Sequence, residues 1–178
     1  RNSGNCYKPR LAMAQLDIAF RVETVDIFAG ATHTPEFLAI SPKARIPVLR
    51  LADGRTLAES NAMLLYLTEG TDLLPGDAYE RAKAYEWLFW EQYSHETAIA
   101  VRRFHKHYLK KSEDEIDPNL MAKSRRALGV MEMQLTFTDW IVGERMTLAD
   151  IALVAYTRLA HEGGFDLSEF PSVERWVS

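Results

Sequence analysis

The stretch Arg45 to Leu67 reads RIPVLRLADGRTLAESNAMLLYL, and its turns set the order of elements. Ile46-Pro47-Val48-Leu49-Arg50-Leu51 has the apolar, β-branched character of a strand. Asp53-Gly54 is a two-residue hairpin signal, and Thr56-Leu57-Ala58 resumes the sheet after it. Glu59-Ser60-Asn61 then meets the apolar run Ala62-Met63-Leu64-Leu65-Tyr66-Leu67, which suits the start of a buried helix. A helix beginning there leaves backbone N–H groups unpaired at a positive dipole end, a site suited to a carboxylate. Pro47 stands where a strand begins, a position that tolerates its missing N–H. Taken singly, each feature fits equally well with a hairpin and a capped helix that bind nothing.

Taken together, Ile46-Pro47-Val48-Leu49 followed by Leu57-x-Glu59-Ser60-x-Ala62 resembles the glutathione-binding half of the thioredoxin-like domain in cytosolic glutathione S-transferases. The resemblance implies a cis Pro47. It implies that Ile46 pairs its backbone with the cysteinyl part of glutathione, and that Glu59 and Ser60 hold the γ-glutamyl end.

Bulk properties are compatible with this. The 178 residues suffice for one or two domains with a real core. The chain is 47% apolar and 26% charged, as an ordinary globular protein is. A net charge of −4 gives no general electrostatic reason to bind nucleic acid or anionic lipid. No apolar run approaches the roughly 20 residues of a membrane-spanning helix. Cys6 is the only cysteine, so no intramolecular disulfide forms and no oxidising compartment is implied. A cytoplasmic location is the expectation. The chain opens without Met and stops inside a helical pattern, so both ends are expected to be trimmed.

From the N-terminus, Pro9 with Leu11, Met13, Ala14 and Leu16 reads as a helix with proline early in it, capped by Ser3 or Asn5. Arg21 to Ile27 alternates and reads as a strand. Thr34 caps a short helix with Pro35 at its first position. The expected order is helix, strand, short helix, hairpin, helix. A thioredoxin-like fold needs one more strand, which is expected just upstream of Arg1. Gly70 to Asp77 is turn-rich. Beyond it the pattern is helical throughout: Tyr79 to about Tyr108, Pro118 to about Leu135, Leu148 to about His161, and a short helix from Pro171. The domains expected are residues 1–70, a linker 71–77, and an all-helical domain 78–178. The fold class is thus an α/β thioredoxin-like domain, its first strand missing, followed by an all-α bundle.

In Met146-Thr147-Leu148-Ala149-Asp150-Ile151, Thr147 and Asp150 have the spacing of a capping box, and Met146 and Ile151 stand at hydrophobic-staple positions. This resembles the capping box of the buried core helix in the transferases' helical domain. Its role is in folding rather than chemistry.

Glutathione chemistry needs a thiolate, and a free thiol with pKa near about 8.5 is mostly protonated at neutral pH. A hydroxyl or amide donor at a helix N-terminus favours the charged form. Ser3-Gly4-Asn5 resembles the donor segment of bacterial-type members, of the theta, beta or nu kind, that use a Ser or Thr. The resemblance makes Ser3 the catalytic donor and Asn5 its support. Ser3 as a mere helix cap is the alternative. Cys6 is the rival nucleophile, able to form a mixed disulfide with glutathione, or else a small packing residue. Arg45 is a candidate for the glycyl carboxylate, with Lys43 and His33 as weaker ones.

The second substrate, a small hydrophobic electrophile or peroxide, is expected against the first long helix of the second domain. There Trp87, Phe89, Trp90, Tyr93, His95, Arg102, Arg103, Phe104, His105, His107 and Tyr108 crowd. His105 and His107 do not share a helix face, so metal binding is not expected. Three functions remain open: a glutathione transferase, a non-catalytic binding or interaction protein on the same scaffold, and a Cys6-dependent thiol oxidoreductase. Glutathione is a co-substrate in the first, no cofactor is expected, and a homodimer is.

Overall fold

The computed structural model describes residues 3–178. The chain divides into two compact units, Arg1–Gly70 and Thr71–Ser178.

The first unit opens with α1, Gly4–Gln15, capped by Ser3, whose Oγ accepts from the Cys6 N–H at 3.4 Å. The helix starts earlier than the position of Pro9 implies. Pro9 lies inside it, so the ring removes one i→i−4 bond from the middle of α1 instead of opening it. Residues 18–26 form neither helix nor strand, which corrects the strand expected over Arg21–Ile27. Alternation makes a strand only where a neighbour supplies a ladder, and among the described residues none does. The α2 helix, Pro35–Ile40, has Thr34 as cap, with Oγ1 taking the Phe37 N–H at 3.2 Å.

A cis Ile46–Pro47 bond leads into β1, Val48–Arg50, which pairs antiparallel with β2, Thr56–Ala58, in the register Val48↔Ala58. The connecting loop is longer than the two residues expected. Leu51 N–H bonds to Arg55 C=O at 2.8 Å, so Ala52, Asp53 and Gly54 all lie in the turn. Gly54 takes φ +88, the left-handed position that a three-residue hairpin requires. The next helix, α3, spans Ser60–Thr68 and packs on α1. Ala12, Met13, Phe37, Met63 and Leu64 form the buried core of this unit.

The second unit is all helical. Asp77 Oδ1 caps α4, Ala78–Trp90, by accepting from Tyr79 N–H and Glu80 N–H at 2.9 and 3.0 Å. The rod continues as a π-wound segment Glu91–Ala100, a short α5, Val101–Arg103, and a second π-wound segment Phe104–Tyr108. Each i→i+5 turn rotates the buried face relative to an α-helical count. Asp117 caps α6, Pro118–Leu135, and α7, Leu148–Thr157, is the core helix, buried along all of its length but Val154.

The α7 capping box is formed as expected. Asp150 Oδ2 accepts from Thr147 N–H at 2.8 Å, and Thr147 Oγ1 accepts from Ala149 N–H. Asp150 Oδ1 also takes Ile141 N–H and Trp176 Nε1–H, each at 2.9 Å. Burial nevertheless outweighs these bonds and pushes the Asp150 carboxyl above its ordinary range. Helix α7 stops at Thr157, short of His161. A 3₁₀ turn, Ala160–Gly163, follows and is closed by Gly164 at φ +85. The last helix, α8, spans Pro171–Val177, and Glu132 of α6 caps it by taking Ser172 N–H and Val173 N–H.

Candidate functional site

The first unit brings two helix N-termini into one hydrogen-bonded network. Ser60, the first residue of α3, donates its hydroxyl to Asn5 Oδ1 at 3.0 Å, near the start of α1. Lys8 Nζ donates to Ser60 Oγ at 3.4 Å and to Asn61 Oδ1 at 3.2 Å. Lys8 is 0% exposed. Two of the residues singled out from sequence, Asn5 and Ser60, therefore share a bond, and Ser3 caps the same helix. Lys8 and Asn61 were not singled out. The signal for Lys8 was available: Asn5, Lys8 and Ala12 fall on one face of α1, where a lysine breaks the apolar pattern.

Glu59 stands before α3 at φ +69, a left-handed conformation that costs a residue with a side chain about 1–3 kcal/mol. Its carboxylate makes no cap to its own helix; it pairs with Lys43 Nζ at 2.6 Å. Both side chains are more than half exposed, so the pair adds little stability. Glu59 thus gives the first turn of α3 no side-chain cap. Arg45 is exposed, and its carbonyl accepts the Ser41 hydroxyl at 3.4 Å. Ile46 and Pro47 are half-buried. Burial pushes the Cys6 thiol up from its ordinary value, against the Ser3 hydrogen bond that pulls it down. A neutral thiol is a poor nucleophile, so the environment works against Cys6 as the reacting group.

In the second unit the crowded end of the long helix is an ion-pair network. Arg102, 2% exposed, donates to Gly163 C=O at 2.9 Å and to Glu113 at 2.5 Å. Arg103 Nε donates to Glu162 at 2.5 Å, and Lys106 also pairs with Glu113. His95 Nε2 lies 2.9 Å from Thr157 Oγ1, whose proton goes to Leu153 C=O. Among the described residues no group of three His, Cys, Asp or Glu stands where it could hold a metal ion. Trp87 is buried, whereas Phe89 and Tyr93 are 75% and 85% exposed. A groove of about 310 Å³ runs between this helix and α6, lined by Trp90, Tyr93, Thr97, Lys123 and Arg126 among others.

The Lys106 and Arg102 donors hold the Glu113 carboxyl at about 2, below its ordinary 4.5. A depressed carboxylate stabilises the fold above its unfolded pKa and loses that contribution as pH falls through the folded one. The thermal midpoint of wild type should therefore exceed that of Glu113→Gln at neutral pH, and the gap should close between about 4.5 and about 2. A thermal melt series over pH checks this.

Residues 2–69 match the glutathione S-transferase N-terminal domain, and residues 89–178 match the C-terminal domain of the same family. The chain belongs to the glutathione S-transferase family. Its fold is the family's: a small thioredoxin-like sheet-and-helix domain followed by a helical one. A glutathione S-transferase structure from Pseudomonas fluorescens Pf-5 is 46% identical, with a TM-score of 0.96 over 99% of this chain and 89% of that one. The disulfide-bond oxidoreductase YfcG of Escherichia coli K12 is 30% identical over 97% of this chain and 83% of its own length. Ure2p, solved in complex with glutathione, is 26% identical with a TM-score of 0.88, over 99% of this chain and 84% of that one. The chain spans only 54% of the URE2 protein of Kluyveromyces marxianus. No helix among the described residues is long and apolar enough to cross a membrane.

Proposed function

We propose that the first unit binds glutathione and that Ser3, supported by Asn5, stabilises its thiolate for attack on an electrophilic centre. The γ-glutamyl end is held by Glu59 and Ser60 at the N-terminus of α3. Ile46 and Pro47 receive the cysteinyl backbone, and Arg45 meets the glycyl carboxylate. The observation that supports this most is the Ser60–Asn5 hydrogen bond, because it joins the ligand-holding helix end to the thiol-activating one. The relative solved with glutathione supports the same ligand. Similarity to YfcG favours disulfide reduction within this chemistry, in which two glutathione thiols give oxidised glutathione and the disulfide becomes two thiols. That route needs no protein cysteine, which agrees with the raised Cys6 thiol.

The second substrate is a small hydrophobic electrophile, peroxide or disulfide. The working form is a homodimer, a reading supported by the exposed Tyr66, Tyr79, Phe89 and Tyr93, and its location is cytoplasmic. A non-catalytic binding protein would take up glutathione and turn over nothing. Ser60→Ala should weaken glutathione binding about tenfold or more in calorimetry, because Asn5 and Lys8 both lose the hydroxyl that links the two helix starts. Unchanged affinity in that variant would remove Ser60 from the site.

A further inference from the structure

We propose that Lys8 is a positioning residue of the glutathione site, fixing the orientation of the Asn5 amide through Ser60. This rests on the reading of Ser3 and Asn5 as thiolate donors. An ammonium group has donors and no acceptor, so Ser60 Oγ and Asn61 Oδ1, at 3.4 and 3.2 Å, must both accept from Lys8. Donation from Lys8 polarises the Ser60 hydroxyl into a stronger proton donor and a poorer acceptor, and Asn5 Oδ1 takes its proton at 3.0 Å. An asparagine whose oxygen is held by a hydroxyl proton presents its NH₂ group in the other direction. Asn5 lies in the first turn of α1 beside Ser3, where the thiolate reading needs N–H donors and not a carbonyl oxygen.

Without Lys8 that polarisation is lost. Ser60 Oγ is then a better acceptor, and the amide can turn to donate from Asn5 Nδ2. The carbonyl oxygen would then stand where the thiolate needs a donor. A buried cation donates more strongly than a neutral group, which is what gives this three-residue relay a single sense. The cost is an ammonium group taken wholly out of water.

The test titrates the thiol of bound glutathione by its thiolate ultraviolet absorbance, in the full chain and in Lys8→Met, Asn5→Ala and the double variant. Lys8→Met should raise the midpoint by about one pH unit, a tenfold loss of thiolate at neutral pH. Asn5→Ala should do about the same, and the double variant should go no further, since both act through one donor. Additive shifts, or a Lys8→Met midpoint equal to wild type, overturn the relay while leaving glutathione binding intact. Failure of wild type to bind glutathione in calorimetry overturns both the relay and the reading beneath it. Should Lys8→Met not fold, the Asn5 side-chain NH₂ resonances of wild type decide. They should move with glutathione and much less with S-hexylglutathione, and equal movement overturns the proposal.

Discussion

Asp150→Ala is expected to lower the unfolding free energy of the helical unit by about 3–5 kcal/mol. The carboxylate takes four hydrogen bonds: from Ile141 N–H, Thr147 N–H, the Thr147 hydroxyl and Trp176 Nε1–H. Alanine removes every acceptor at once. The hydroxyl can turn to another partner, but the three N–H groups cannot. Each unmet buried donor costs about 1–3 kcal/mol, and the lost reciprocal cap of α7 belongs to the same sum. The effect spreads because Asp150 ties three separate segments together: the 138–146 loop, the start of α7, and α8. Urea denaturation followed by far-ultraviolet circular dichroism measures it. A loss under about 1 kcal/mol would show that water meets those donors.

Ser3→Ala combined with Asn5→Ala is expected to lower kcat/KM for glutathione-dependent turnover about 10²-fold or more, the scale seen for removing preorganised donors from a developing anion. The effect should fall as pH rises past the free-thiol range, because the thiolate then forms without help. This pH dependence separates chemistry from folding. If Ser3 were only the cap of α1, its removal would cost about 1 kcal/mol of stability and leave the pH–rate profile in place. Steady-state rates over pH, with a disulfide and with an aryl electrophile, distinguish the two.

What the sequence made legible follows from how local each feature is. The α7 box is written in four consecutive residues, Thr147 to Asp150, and both halves of it form as read. Thr34-Pro35 likewise starts α2 where its chemistry says. The hairpin was legible as a hairpin, but its loop length was not. Asp53-Gly54 suits either a two-residue turn or the end of a three-residue one, and only the Leu51–Arg55 pairing decides. Arg21–Ile27 failed for the opposite reason. Its alternation is real, but pairing is a property of two segments, and the described residues supply no second one.

The π-wound turns after Trp90 leave no local mark. They exchange one hydrogen-bond spacing for another along a sequence that still reads as helix. The site divides in the same way. Ser3, Asn5, Glu59 and Ser60 were readable as helix-start residues. The partnership of Lys8 with Ser60 joins positions 52 apart and needed the packing of α1 on α3 to be seen.

The central claim is that the start of α1 lowers the pKa of a glutathione thiol held by the start of α3. Titrating the thiolate absorbance of bound glutathione against pH tests it most directly. A midpoint at least one unit below the value of about 8.5 for a free thiol is the result predicted here. A midpoint at or above that of free glutathione, with binding intact, would contradict the account.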